Sequence, residues 1–185
     1  MARLITAGIT SLDGYINDAD GGFDWAMPDE QVHAFANELE RSVGTAIYGR
    51  RMYEVMQFWD DVPAGENPIM DEFAQIWGRN NKIVVSTTLE KPTTAKTVLK
   101  RDLDWLEQFK AEAERDISIG GPTLAASAVH KGLVDEFHQF LTPVVVGGGT
   151  SFFPAGVFQR LELIDEKRFD SGVVYLRYQK KENHG

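Results

Sequence analysis

Four short apolar segments of this chain each run into a turn of small residues or glycine. That alternation of strand and helix patterns restricts the fold more than any other feature. Arg3–Thr10 (RLITAGIT), Thr45–Tyr48 (TAIY), Lys82–Val85 (KIVV) and the stretch around Ile117 and Ile119 read as buried strands. Helical spacing recurs between them. Pro28 suits a first helical turn, and Val32, Phe35, Ala36, Leu39 and Val43 keep one buried face up to Gly44. A second helix follows Gly49, and Asn67-Pro68 opens a third bearing Ile69, Met70, Phe73, Ile76 and Trp77. Asp104 with Glu107 resembles a capping box for a helix through Glu114. Strands separated by helices pair in parallel, so a mostly parallel α/β sheet is predicted. Lys96–Leu99 adds a short strand and Val134–Leu141 a longer one. Leu161–Ile164 and Gly172–Tyr178 flank the tight connection Asp170-Ser171-Gly172, which predicts an antiparallel hairpin at the end.

Ligands of such sheets bind beyond the carboxyl ends of the strands. Three ends here carry phosphate-compatible chemistry: Gly49-Arg50-Arg51, Ser86-Thr87-Thr88 and Gly120-Gly121-Pro122-Thr123. The last opens a short helix carrying Leu124, Ala125, Ala128 and Val129, which stops at Gly132. Glycine lets backbone approach a ligand, and the free N–H groups and dipole of a helix start favour anions. Arginines at a helix start oppose that dipole unless an anion is bound. Any one of these junctions reads equally well as an ordinary turn. Three at one rim predict a nucleotide cofactor. Neither G-x-G-x-x-G after a strand nor G-x-x-x-x-G-K-[ST] occurs, which excludes the common dinucleotide and P-loop signatures. Gly147-Gly148-Gly149 precedes a poor helix start and reads as a flexible strand connection.

The loop NDADGGFDW is dense in turn residues and suits a lid beside the first strand. Asp13 sits in a turn where aspartate is at home for conformational reasons; the alternative is a substrate-orienting carboxylate. Glu30, in a first helical turn, either complements the dipole or, if that turn lines a cleft, holds or protonates a substrate's polar ring. Trp25, Phe58, Trp59 and Trp77 read as core or lid packing, with aromatic walls for a planar ligand as the alternative.

A formal net charge of −9 counts against broad nucleic-acid or anionic-membrane binding, so phosphate recognition has to be local. With no cysteine there is neither a disulfide framework nor a thiol nucleophile. Four histidines without metal-ligand spacing predict no metal. No apolar run approaches a membrane span and the N-terminus lacks a signal-peptide block, so a cytoplasmic location is the default expectation. The length suits a single domain, taken as residues 1–180, with 181–185 as a frayed tail.

ITSLDGYI, YGRRMYE, VVST, IGGPTL and GLVDEFHQFLTPVVVGGGTSFF, in this order and spacing, give the chain a resemblance to a known family. It resembles the dihydrofolate-reductase-like proteins, in the branch of riboflavin-pathway pyrimidine reductases and stand-alone bacterial deaminase–reductase C-terminal-domain proteins. The resemblance covers nearly the whole chain. It implies a three-layer α/β/α fold with a mostly parallel central sheet and a C-terminal antiparallel hairpin. It also implies an NADPH-dependent reductase, with 5-amino-6-(5-phosphoribosylamino)uracil as best substrate, working as a homodimer on a small molecule. Gly49, Arg50, Arg51, Ser86 and Thr87 would bind the cofactor's adenosine phosphates. Gly120, Gly121, Pro122, Thr123 and Leu124 would cradle its pyrophosphate, and Ala7 and Ile16 would lie near the nicotinamide. Asp13 falls in the S-x-D-G motif on the substrate side. Trp25-Ala26-Met27-Pro28-Asp29-Glu30 is similar to the tryptophan–proline–acid stretch of dihydrofolate reductases, where the acid matching Glu30 binds the pterin. Folate-type reduction is therefore the runner-up, and a non-catalytic NADPH-binding module the rival from another class.

Overall fold

Pairing between the predicted strands decides which of their ends meet. The computed structural model describes residues 2–181, so all of the expected tail except Lys181 lies outside the described residues. The strands are β1 (Leu4–Thr10), β2 (Tyr15–Asn17), β3 (Val43–Gly49), β4 (Asn81–Val85) and β5 (Thr97–Lys100), followed by β6 (Asp116–Gly120), β7 (Glu136–Leu141), β8 (Thr150–Ser151), β9 (Leu161–Arg168) and β10 (Val174–Lys180). The helices are α1 (Glu30–Glu40), α2 (Arg50–Met56), α3 (Pro68–Arg79), α4 (Leu106–Glu112) and α5 (Pro122–His130). Eight strands form one sheet in the order β5-β4-β3-β6-β1-β7-β10-β9. From β5 to β7 every pairing is parallel, and β10 lies antiparallel to both β7 and β9. The sequence predicts this mostly parallel sheet with its closing hairpin.

Alternating side chains divide the strands between two buried faces. One face collects Leu4, Ile47, Ile83, Ile117, Ile119 and Phe137 under Leu106 of α4 and Ala128 of α5. Leu4, Ile47 and Ile117 are fully buried, each stabilising the fold by about 1.5–3 kcal/mol. On the opposite face, Ala46, Tyr48 and Val84 pack with Tyr53, Met56 and Trp77 of α2 and α3. Farther along that face, Phe140 and Tyr175 pack with Val32 of α1. The result is the expected three-layer α/β/α arrangement.

Several local expectations are corrected. Helix α1 begins at Glu30, with Asp29 as its cap accepting from the Val32 N–H at 2.9 Å, so Pro28 lies before the helix. Nor does Gly44 end α1. The helix ends at Glu40, and Val43 already pairs with Asp116 of β6. Gly44 instead marks an irregularity in that pairing, where a Cβ would come within 2.8 Å of the Arg115 Cβ. The capping box before α4 does not form, because Trp105 occupies the cap position and Asp104 pairs with Lys131 at 3.0 Å. Strand β9 runs on to Arg168 through charged residues, which an edge strand tolerates.

Candidate functional site

The sheet order brings together the three strand ends singled out in the sequence. β4, β3 and β6 are consecutive neighbours, with Gly49 opposite Val85 and Tyr48 opposite Gly120. Ser86-Thr87-Thr88, Gly49-Arg50-Arg51 and Gly120-Gly121 therefore form one continuous rim. Glycine is required at its centre. Gly121 has φ +95°, and a Cβ there would lie 3.4 Å from the Met52 Cβ and 3.6 Å from the Gly49 nitrogen. A Cβ on Gly120 would press on the Tyr48 ring at 3.3 Å. Gly49 and Leu124 stand against each other across the same gap. Both α2 and α5 begin without a side-chain cap, and Pro122 occupies the first turn of α5, followed by Thr123. Their first N–H groups are thus left for solvent or a ligand.

Charged and hydroxyl side chains reach the rim from α2, from the turn after β4 and from the segment after β5. Arg50 donates to the Thr88 hydroxyl at 3.0 Å and to Glu54 at 2.8 Å, which ties the α2 start to the turn after β4. Arg51 and Thr87 are exposed beside it. Ser86 is buried, and its hydroxyl accepts from the Thr88 and Leu89 N–H groups at 3.2 and 3.0 Å, so it shapes the turn. Arg101, just beyond β5, donates to the Ser86 and Leu89 carbonyls at 2.8 Å each. Sequence reading missed this third arginine, because β5 is short and its strand end carries no glycine signal.

A second concavity lies on the α1 face of the sheet. Ala7, in the middle of central strand β1, is exposed. Beside it, neighbour strand β6 offers Ser118 and Gly120 on the same face, so small residues open a trough. The trough encloses a cavity of about 130 Å³, with Ile5, Ala7 and Ser118 on the floor and Leu39, Glu40 and Phe73 on the walls. Burial pushes the Glu40 carboxyl up to about 7. Glu40 was also missed in the sequence, although it stands four residues after Ala36 on the apolar stripe of α1. A charged residue on that stripe was the available signal.

Asp13 and Ile16 belong to a clasp beside β1. Asp13 is exposed, and its carboxylate accepts from the Val146 and Gly147 N–H groups at 3.2 and 2.8 Å. The Ser11 hydroxyl first, and then those N–H groups, hold its carboxyl below the usual range. Gly149 has φ +134°, and a Cβ there would fall 2.0 Å from the Asn17 carbonyl oxygen. The Thr150 N–H donates to the Asn17 side chain at 2.8 Å, and β2 pairs with β8. The triple glycine, expected as a flexible connection, is instead the close contact of this clasp. Ile16 sits against Gly8, the neighbour of Ala7 in β1. Glu30 is exposed at the first position of α1, away from the clasp's hydrogen bonds. The Trp25 indole N–H is buried without a partner among the described residues.

At the opposite end of the strands, Glu136 is buried among Arg3, Arg177 and His138, at 2.8, 2.9 and 3.0 Å. Despite burial, these partners lower its carboxyl to about 2. The His138 ring is held on its other side by the Tyr175 hydroxyl at 3.1 Å. Among the described residues no cluster of three or more His, Cys, Asp or Glu is arranged to hold a metal. No described helix is long and apolar enough to cross a membrane.

Comparison with known proteins agrees with this geometry. YyaP, an uncharacterised protein of Bacillus subtilis strain 168, is 30% identical over 186 residues, covering 95% of this chain and 94% of that protein. A candidate riboflavin biosynthesis protein from Shewanella sp. PV-4 superposes with a TM-score of 0.74 at 22% identity, over 98% of this chain and all of the other (100%). Dihydrofolate reductase from Enterococcus faecalis, solved with NADP(H), gives a TM-score of 0.64 at 13% identity, with 97% of each chain covered. These likenesses identify the fold as dihydrofolate-reductase-like. The model of the RibD C-terminal domain matches residues 2–175, so the chain belongs to the RibD C-terminal domain family.

Proposed function

We propose that residues 1–180 act as one NADPH-dependent reductase domain, in the cytoplasm and as a homodimer. Its proposed reaction is reduction of 5-amino-6-(5-phosphoribosylamino)uracil, a step of riboflavin biosynthesis. The observation that carries this reading is the contiguity of the three strand ends around Gly49 and Gly121. Two uncapped helix starts and the cations Arg50 and Arg51 converge there, a donor set suited to a pyrophosphate and an extra phosphate. Gly120, Gly121, Thr123 and Leu124 would hold the pyrophosphate through backbone N–H groups, with Pro122, which has no N–H, fixing the start of α5. Arg50, Arg51, Ser86 and Thr87 would hold the adenosine phosphates, with Arg101 bracing the Ser86 turn. Ala7 and Ile16 would lie beside the nicotinamide. Bound NADPH supplies the hydride.

The protein's contribution is to align donor and acceptor carbons and to exclude water. Asp13, through its hold on Val146 and Gly147, would fix the clasp that walls the cofactor cleft and so orient substrate. Glu30 is placed at the helix start nearest the Trp25 indole in sequence. That unpartnered buried indole N–H favours a second reading, reduction of a pterin such as dihydrofolate. The test is loss of reduced-nicotinamide absorbance with either acceptor. Consumption with the uracil and none with dihydrofolate is expected; the reverse result selects the pterin reading. NADPH binding without consumption by either would leave a non-catalytic binding module.

A further inference from the structure

We infer that the trough on the α1 face receives the acceptor ring and that Glu40 is the acid that protonates it there. This rests on the reductase reading above. The cavity reaches from Ala7, where β1 is open and the nicotinamide is proposed to lie, to Glu40 and Val43. Leu39, Phe73 and Phe140 give it apolar walls, and Ser118 places a hydroxyl on the floor beside Ile5. Its volume of about 130 Å³ is below the roughly 300–1,000 Å³ of pockets for drug-sized ligands. It therefore fits one ring, with the remainder of the substrate outside.

The Asp13 carboxylate is engaged by backbone N–H groups, and Glu30 is exposed at a helix start. Burial is the one cause that shifts Glu40; no hydrogen bond or nearby charge offsets it among the described residues. An acid near 7 can both give up a proton and be reloaded at neutral pH. The neighbouring groups do not compete for this role. His138 has both ring nitrogens occupied, by Glu136 and Tyr175. Tyr48, on β3, is pushed well above its usual range by burial and then by Glu40 itself. From α3 the trough receives Phe73 and from β6 Ser118, neither of them charged.

The acceptor carbon of a polar C=N or C=O bond takes a hydride, with its electron pair, from the reduced nicotinamide. The π pair of that bond moves to the heteroatom, which takes the Glu40 carboxyl proton. The cofactor is oxidised, the acceptor reduced, and the Glu40 carboxylate regains a proton from water.

The experiment compares wild type with Glu40→Gln and Glu40→Asp. NADPH titration comes first. Affinities within about twofold of one another are expected, and a wild type that does not bind NADPH overturns the reductase reading and this role with it. Next, the NADPH-loaded proteins carry ¹³C in their glutamate side chains. One carboxyl resonance, missing from Glu40→Gln, should titrate near 7 and move when 5,6-diaminouracil is added. A resonance that titrates in the usual glutamate range, or that ignores the uracil, overturns the pocket. Last, kcat is followed from pH 5 to 9 with 5-amino-6-(5-phosphoribosylamino)uracil and with dihydrofolate. In wild type it should fall above pH 7. Glu40→Gln should lose about 10²–10⁴-fold together with the pH step, and Glu40→Asp should retain the step. Equal kcat in wild type and Glu40→Gln, or no turnover of either acceptor by wild type, overturns the acid role.

Discussion

Glu40→Gln should change stability by an amount that depends on pH, and the size of that change follows from the trough. The unfolded carboxyl has its ordinary value near 4.5, while burial lifts it to about 7 in the folded chain. Between those values the folded state holds a proton that the unfolded state has lost, so stability falls as pH rises. Each pH unit within that window costs up to about 1.4 kcal/mol. The full window would cost roughly 3 kcal/mol, and partial solvent access to the side chain reduces this to about 1–3 kcal/mol. Glutamine carries no titrating proton. Glu40→Gln should therefore gain about 1–3 kcal/mol over wild type between pH 4.5 and 7.5, with little further change above. His33, which burial lowers, makes stability rise with pH just below its ordinary value, but it acts equally in both proteins. Taking the difference between the two removes it. Urea unfolding of both proteins at pH 5, 6, 7 and 8, with equal m-values, reads the effect directly. The gain corresponds to a Tm rise of about 2–4 °C per kcal/mol in a chain of this size. A difference that stays constant across those pH values would show that Glu40 titrates as an exposed carboxylate, and the trough account of it would fail.

Gly149→Ala places a Cβ 2.0 Å from the Asn17 carbonyl oxygen at φ +134°. It should cost about 3 kcal/mol or more and lower the urea midpoint; an unchanged midpoint would remove the clasp. Arg50→Ala should weaken NADPH about tenfold or more and NADH less than twofold in calorimetric titration, since roughly 1.4 kcal/mol accompanies each tenfold loss. Equal losses for both cofactors would contradict recognition of the extra phosphate. Glu136→Gln removes the negative charge shared by Arg3, Arg177 and His138 and replaces one of its two acceptor oxygens by a donor, and should destabilise by about 3–5 kcal/mol near neutral pH. The folded carboxyl is lowered to about 2. Its contribution in wild type is therefore complete above about 4.5 and lost as pH falls toward 2, so the penalty of the variant should shrink in acid.

Sequence patterns carried the sheet because the strands separating the helices are short, β-branched and bounded by glycine or small residues. The rim was legible for the same reason: Gly121 and Gly49 are needed for backbone contact, and such needs leave a mark in the residue type. Where tertiary contacts decided, the sequence was less informative. Gly44 reads as a helix stop but serves a strand irregularity against Arg115. Gly147-Gly148-Gly149 reads as a loose connection until Asn17, more than a hundred residues earlier, is brought against it. Glu40 and Arg101 were hidden because their roles depend on neighbours, the small floor residues Ala7 and Ser118 in one case and the Ser86 turn in the other. Asp13 was singled out correctly as a turn residue, but its partners on the far loop could not be read from its own surroundings.

We propose the rim formed by Gly49-Arg50-Arg51, Ser86-Thr87 and Gly120-Gly121 as a seat for NADPH. Titration of the wild-type protein with NADPH and with NADH, at one fixed salt concentration, tests it most directly. Saturable one-to-one binding of NADPH, at least tenfold tighter than NADH, is the predicted result. Absence of NADPH binding, or equal affinity for the two cofactors, would contradict it.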